Sequence, residues 1–188
     1  ECRLAGIQVT DLATFFEREA GKIKLGIVDP SWLVFSDGFD RRQWRQVTKR
    51  AFDMAASTIL LLLAAPLMLL TALAIWLESG FKGPIIYRQE RVGEGGRVFT
   101  VLKFRSMRTD AEKDGKAVWA QKDDDRITTV GRVIRKLRID ELPQVFNVLR
   151  GDMSFVGPRP ERPCFVAELS KQIPYFGLRH CVKPGITG

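Results

Sequence analysis

The sequence predicts a mixed α+β, membrane-associated protein, in which a membrane-inserted helical segment joins a small domain with a short antiparallel sheet and several helices. Three observations carry this prediction. Residues 54–77 form a run of 24 without a charge, longer and more uniformly apolar than the core helix of a soluble domain. After it, two β-like apolar runs flank a glycine-rich turn, and further on apolar residues recur at helical spacing. Charge is uneven too. Of a net +8 over 188 residues, residues 82–188 hold 21 Lys+Arg against 13 Asp+Glu, so the whole excess lies beyond the apolar run. A composition of 45% hydrophobic and 28% charged residues excludes a wholly disordered chain.

Residues 1–39 read as the tail of a preceding domain. The chain opens Glu1-Cys2-Arg3 without a charged-then-apolar leader, so it is expected to be a piece of a longer polypeptide. Thr10 or Asp11 can cap a short helix carrying Leu12, Phe15 and Phe16 on one face. Ile27-Val28 and Leu33-Val34-Phe35, separated by Asp29-Pro30-Ser31, read as short strands. Cys2, Cys164 and Cys181 show no CxxC pair, which argues against a disulfide framework or a zinc knuckle and for reduced thiols. His180 is the single histidine, a poor basis for a His-rich metal site or a Ser-His-Asp triad.

Residues 40–53 place basic side chains beside Trp44 at helical spacing, which suits a juxtamembrane helix lying at a membrane surface. The apolar run at 54–77 would reach roughly 36 Å as a straight helix, against a hydrocarbon core of about 30 Å. Pro66 sits at its midpoint and removes a backbone donor, which favours a kink. Each half of about 12 residues would reach only about 18 Å, too short to span alone. Lys49 and Arg50 flank one end and Lys82, Arg88 and Arg91 follow the other, so charge sets no orientation for a span. By pattern alone a simple span and a re-entrant hairpin both stay open.

Residues 78–188 form the remaining domain. Residues 84–88 and 98–104 read as two strands with Gly93-Glu94-Gly95-Gly96 between them. That turn lacks the Gly-Lys-Ser/Thr ending of a phosphate loop, so it reads as a hairpin. Residues 110–126 are charged and loop-like; Ile127, Val130, Ile134 and Leu137 then mark a helix that also carries Arg132, Arg135, Lys136 and Arg138.

The most informative stretch is residues 135–152. Leu142, Val145, Phe146 and Leu149 form an apolar stripe, Asp140 is a natural N-cap, and Gly151 can end the helix. Capping alone accounts for an Asp-Glu pair in such a place. The same geometry also suits phosphate chemistry: one carboxylate can attack phosphorus, a second can bind Mg²⁺ or move a proton, and the surrounding cations offset anion repulsion. Downstream, Gly157-Pro158-Arg159-Pro160 is either a plain tight turn or a rigid mount for Arg159.

Five ordered features together resemble the bacterial sugar transferases, more closely the monotopic phosphoglycosyl transferases of the undecaprenyl-phosphate hexose-1-phosphate transferase type. They are the basic-flanked apolar segment with Pro66, Lys103-Phe104-Arg105-Ser106-Met107, Asp140-Glu141-Leu142-Pro143-Gln144, Gly151-Asp152-Met153-Ser154 and Gly157-Pro158-Arg159-Pro160. The resemblance covers about residues 47–188; residues 1–39 resemble the end of the nucleotide-binding-like domain preceding this core in larger members. It implies transfer of a sugar-1-phosphate from a UDP-sugar to a polyprenyl (undecaprenyl) phosphate with release of UMP, as the initiating step of exopolysaccharide or related glycan synthesis.

By motif, Asp140 would be the nucleophile and Glu141 its metal-site or proton-handling partner. Lys103, Arg105 and Arg135 would contact phosphate, and Pro158, Arg159 and Pro160 the nucleotide end. Mg²⁺ is the implied cofactor, held by Asp140 and Glu141 with Asp152 as a further candidate ligand. The resemblance also implies a re-entrant helix broken at Pro66, although this chain has Ala65 where well-known members have Ser. The catalytic domain would then rest on the cytoplasmic face of the bacterial inner membrane. The implied partners are the UDP-sugar, polyprenyl phosphate and membrane lipids, without nucleic acid; a homodimer stays open as the assembled state. The catalytic domain is expected to stop short of the family's C-terminal sequence, since residues 183–188 fall where family members continue. The competing reading is a non-catalytic membrane scaffold in polysaccharide assembly.

Overall fold

The computed structural model describes residues 12–20, 43–109, 111 and 124–187. The chain divides into two compact units, Glu1–Arg45 and Gln46–Gly188. In the first, helix α1 (Leu12–Ala20) exposes Leu12 and Phe15. The expected caps Thr10 and Asp11 and the expected strands at residues 27–28 and 33–35 lie outside the described residues.

Helix α2 (Gln43–Glu78) runs for 36 residues with Pro66 inside it. Two expectations change here: residues 43–53 of the basic segment and the apolar run are not separate elements, and the helix is not divided at Pro66. A proline removes a single donor and leaves the i→i−4 bonds on either side intact, and the flanking leucines and alanines are strong helix formers. Thr58 and Thr71 return their hydroxyl protons to the carbonyls of Met54 and Leu67 one turn back, so neither needs an outside partner.

The buried positions of α2 are Asp53, Ser57, Ala64, Thr71 and Ile75. They recur at steps of four and seven, which is one stripe of a helix. The remaining faces expose Leu62, Leu63, Leu69, Leu70 and Leu73. An apolar surface of this extent calls for a cover other than water, consistent with membrane association, and α2 is long and apolar enough to cross a membrane.

Both ends of α2 are fastened to the same unit, and each satisfies backbone groups that a short helix leaves orphaned. At the start, the Arg50 guanidinium donates to the carbonyls of Val148 and Leu149, near the end of helix α4 (Val145–Arg150). One turn on, the buried Asp53 carboxylate accepts from the Ser154 hydroxyl and the Phe155 amide. At the other end, Glu78 accepts from the Val130 amide in the first turn of helix α3 (Thr129–Lys136). Thr128 caps that same helix by accepting from Gly131.

Strands β1 (Ile86–Val92) and β2 (Val98–Phe104) pair antiparallel, with Ile86 opposite Phe104 and Val92 opposite Val98. The glycine-rich turn joins them as expected, with Gly95 and Gly96 at φ +65° and +76°, conformations that favour glycine. A second pairing was not expected: β3 (Ser154–Val156) runs parallel to β4 (Gly185–Thr187). Strands of three residues carry too little alternation to be read from sequence. Helix α5 (Pro163–Gln172) lies between them in sequence.

Two apolar clusters hold the unit together. Ile75, Phe104 and Ile134 tie α2 to β2 and α3. Val101, Val148 and Met153 tie β2 to α4 and the approach to β3, with Ile186 of β4 packed against them.

Candidate active site

The Asp-Glu pair sits on a 3₁₀ segment, Ile139–Gln144, entered through Arg138 at φ +59°. Two expectations are corrected here. Asp140 is not an N-cap, since the cap position belongs to Arg138 and Asp140 lies inside the segment. Of the predicted stripe, Val145 is buried but Phe146 is exposed, while Asn147 and Val148 turn inward. A 3₁₀ turn advances about 120° per residue against about 100° for an α-helix, so a stripe counted at α spacing comes out rotated.

Lys103 reaches from β2 and donates Nζ to Glu141 Oε1 at 2.9 Å. Arg159 donates Nη2 to the same oxygen at 3.2 Å, and Arg138 lies 3.7 Å from Oε2. Burial pushes the Glu141 pKa upward, but the Lys103 hydrogen bond and the charges of Lys103 and Arg159 outweigh it and hold Glu141 below the usual carboxylate range. Asp140 goes the other way: burial raises its pKa, opposed by the charge of Lys103, reinforced by Glu141 and opposed again by Arg135 on the last turn of α3. Its Oδ1 is buried without a hydrogen-bond partner. Adjacent carboxyls with pKa values moved in opposite directions suit different tasks: Glu141 is fixed as an ion, and Asp140 keeps an uncommitted oxygen.

The Gly-Pro-Arg-Pro turn is held at three successive carbonyls. The Pro158 carbonyl accepts from the Gly185 amide, that of Arg159 from Arg179, and that of Pro160 from Arg91. Arg179 also lies over the Phe176 ring at 4.7 Å, and Arg91 is within 3.4 Å of Glu161. The turn therefore delivers Arg159 to Glu141 from a braced position.

Of the predicted phosphate contacts, Lys103 and Arg135 act on the carboxylate pair. Arg105 instead lines a cleft whose walls do not include that pair. Mg²⁺ usually takes one or two carboxylates and completes its shell with water and phosphate oxygens. The unpartnered Asp140 Oδ1 beside Glu141 fits such a shared ion. Among the described residues no group of three or more His, Cys, Asp and Glu is disposed to hold a metal. Asp152 therefore does not complete a cluster with the pair; its carboxylate lies 3.5 Å from Asn147 Nδ2.

Sequence reasoning missed Asn147, Arg91 and Arg179. Asn147 is fully buried, accepts from the Leu102 amide and donates to the Thr100 carbonyl, so it binds β2 as a neighbouring strand would. A polar residue between Val145 and Val148 was the available signal. Arg91 and Arg179 act through backbone carbonyls remote in sequence, which leave no local pattern.

The sequence profile described as "Bacterial sugar transferase" matches residues 44–188. A protein of Aeromonas hydrophila named UDP-N-acetylgalactosamine-undecaprenyl-phosphate N-acetylgalactosaminephosphotransferase is 45% identical over 195 residues, covering 100% of this chain and 43% of that protein. A UDP-glucose:undecaprenyl-phosphate glucose-1-phosphate transferase of Caulobacter vibrioides is 50% identical over 141 residues, 74% of this chain and 51% of its own length. One of the same name from Escherichia coli is 45% identical over 143 residues, 76% of this chain and 30% of its own. The chain thus spans about half or less of the length of these relatives.

Proposed function

Because the chain belongs to the bacterial sugar transferase family, we propose that it transfers a sugar-1-phosphate from a UDP-sugar to undecaprenyl phosphate, releasing UMP through a phosphosugar-aspartyl intermediate on Asp140. This would initiate exopolysaccharide or related glycan synthesis. The observation that carries the mechanism is the uncommitted, buried Asp140 Oδ1 beside a Glu141 braced by Lys103 and Arg159. Asp140 attacks the sugar-linked phosphorus, the bond to the bridging oxygen breaks, and UMP leaves with that oxygen. An oxygen of the lipid phosphate then attacks the aspartyl-bound phosphorus, giving the polyprenyl-diphospho-sugar and restoring the carboxylate. Lys103 and Arg135 offset the repulsion between nucleophile and diphosphate. Glu141 positions Lys103 and Arg159, and the Pro158-Arg159-Pro160 turn presents Arg159 to the nucleotide end. Asp140 and Glu141 are the residues that would hold Mg²⁺, whose chemistry there would be neutralisation of phosphate charge.

We further propose that α2 is re-entrant, which keeps the site on the cytoplasmic face of the inner membrane, where UDP-sugars are available. Its two ends bind one compact unit. Pro66 is exposed, and Ala64 and Met68, at two residues either side, lie about 160° around the helix from it. A proline ring crowds the carbonyl one turn back and opens its own face, so bending closes the face carrying the buried stripe. A non-catalytic scaffold, the competing reading, would give Asp140 a capping role, and Asp140 makes no such cap.

The test uses the chain in membranes with a panel of UDP-sugars and no lipid acceptor. One equivalent of UMP and a sugar-phosphate adduct on the Asp140 peptide are expected, and Asp140→Asn should give neither; turnover by that variant would sink the assignment. Cysteine labelling either side of residues 54–77 should find both ends on one face of the membrane.

A further inference from the structure

We propose that Gln89 is a positioning residue for Arg159. Acting through Arg91 and the Pro160 carbonyl, it fixes the spacing between Arg159 and Lys103, two cations that meet at Glu141. The starting point is one row of side chains on β1. Tyr87, Gln89 and Arg91 are alternate residues of the strand and so share a face. Tyr87 stands directly opposite Lys103 in the ladder, which puts that row on the Lys103 side of the ribbon. Gln89 Nε2 donates to the Tyr87 hydroxyl oxygen at 3.0 Å, and Gln89 Oε1 accepts from both Nε and Nη2 of Arg91.

Arg91 carries this row to the Gly-Pro-Arg-Pro turn. Its third nitrogen, Nη1, donates to the Pro160 carbonyl at 3.0 Å and lies 3.4 Å from Glu161 Oε2. One edge of the guanidinium is therefore held by the Gln89 amide and the other by the turn, and a planar fork that rotates loses both. Burial lowers the Arg91 pKa, Glu161 opposes this, and the charges of Arg159 and Arg162 reinforce it. Arg91 is thus crowded by like charge. A neutral acceptor engaged by two of its nitrogens keeps it facing Pro160 against that repulsion.

The result is a closed circuit. Lys103 and Arg159 donate to the same Glu141 oxygen at 2.9 and 3.2 Å, and Tyr87, Gln89 and Arg91 link the strands to the turn on the other side. Glutamine suits the middle of that link, because its amide accepts with one atom and donates with the other. The turn does not depend on Gln89 for its fold. The Val92 amide donates to the Glu161 carbonyl, and Gly185 and Arg179 hold the carbonyls of Pro158 and Arg159. What Gln89 adds is the separation of the two cations. Resting on the proposed function, that separation governs how well the nucleotide end of a UDP-sugar meets Arg159.

Measurements on the chain in nanodiscs, first without and then with UDP, test this. In the ligand-free chain, the Nε–Hε NMR signal of Arg159, identified by its loss in Arg159→Lys, should shift and broaden in Gln89→Leu. It should stay in place in Gln89→Glu, since a carboxylate at 89 still accepts from Arg91 and a leucine does not. With UDP added, Gln89→Leu should weaken binding about fivefold, the net worth of roughly one hydrogen bond, and Gln89→Glu should restore most of it. KM for the UDP-sugar should rise by the same factor while single-turnover UMP release at saturation holds. In an Arg159→Gln background, Gln89→Leu should weaken UDP binding no further. An unmoved Arg159 signal in Gln89→Leu would overturn the proposal, as would a fivefold loss that persists in the Arg159→Gln background. If the unmodified chain neither binds UDP nor releases UMP, the proposed function fails, while the ligand-free signal still decides the role of Gln89.

Discussion

Asp140 and Glu141 are neighbours whose ionisation is driven apart, and their contributions to stability take opposite signs with pH. Glu141 has a folded pKa below its ordinary value, so its contribution is fully present above the unfolded pKa of about 4.3 and is lost as pH falls through the folded value. Replacing it with Gln should lower stability by about 1–3 kcal/mol at neutral pH, and the gap to the unmodified chain should close on acidification, as thermal melts between neutral and strongly acid pH would show. Asp140 has a raised folded pKa, so its ionised form costs stability above its unfolded pKa of about 3.9. Asp140→Asn should therefore match or exceed the unmodified chain in melting temperature near pH 7, with the advantage fading below that value. Loss of an ordinary N-cap to an apolar residue would instead cost about 0.5–2 kcal/mol. A variant that loses the adduct while keeping its melting temperature would separate chemistry from folding.

At the scale of elements, α2 is fastened to its own unit as well as being long and apolar enough to cross a membrane. Asp53 is buried 101 residues in sequence from Ser154, and it accepts from both the Ser154 hydroxyl and the Phe155 amide. Asp53→Ala leaves two donors unpaired, each worth about 1–3 kcal/mol when buried. It should loosen β3, with faster amide exchange at Phe155 and without loss of membrane partition; unchanged exchange would show that Arg50 and Lys49, which donates to the Val156 carbonyl, suffice to hold this end. A second prediction concerns the parallel pair. A Cβ on Gly185 would stand 2.1 Å from the Gly157 nitrogen, so Gly185→Ala must push β4 away from β3. The expected result is lower stability, by about 1–3 kcal/mol, together with a weaker donor-sugar interaction, because the Gly185 amide also holds the Pro158 carbonyl. Unaltered UDP-sugar affinity would break the link drawn between this strand pair and the turn.

Over the whole molecule, legibility in the sequence tracks locality. The apolar run, the β1–β2 hairpin and the helix of Ile134 arise from contacts between near neighbours, and composition with periodicity reveals them. The Asp140-Glu141 pair and the Gly-Pro-Arg-Pro turn were readable as motifs, though not the 3₁₀ geometry that moves Asp140 off the cap. What stayed hidden depends on distant partners. Asn147 bonds to β2 some 45 residues away, and β3 finds β4 across helix α5. Arg105 was expected to contact phosphate beside Lys103, yet its surroundings, Gly83 and the end of α2, set it in a different cleft. The net +8 accordingly serves more than one place: Lys103, Arg135 and Arg159 surround the carboxylates, while Lys82, Arg105 and Arg108 face the other cleft.

The three tethered carbonyls of Pro158, Arg159 and Pro160 have one more consequence. Their donors come from β1, from the segment after α5 and from β4, and proline fixes φ on both sides of Arg159. The turn thus acts as a keystone whose conformational entropy is surrendered during folding rather than at substrate arrival. Under the proposed function, a nucleotide meeting Arg159 would have little loop ordering left to drive, and more of its interaction energy would remain for aligning the phosphorus with Asp140.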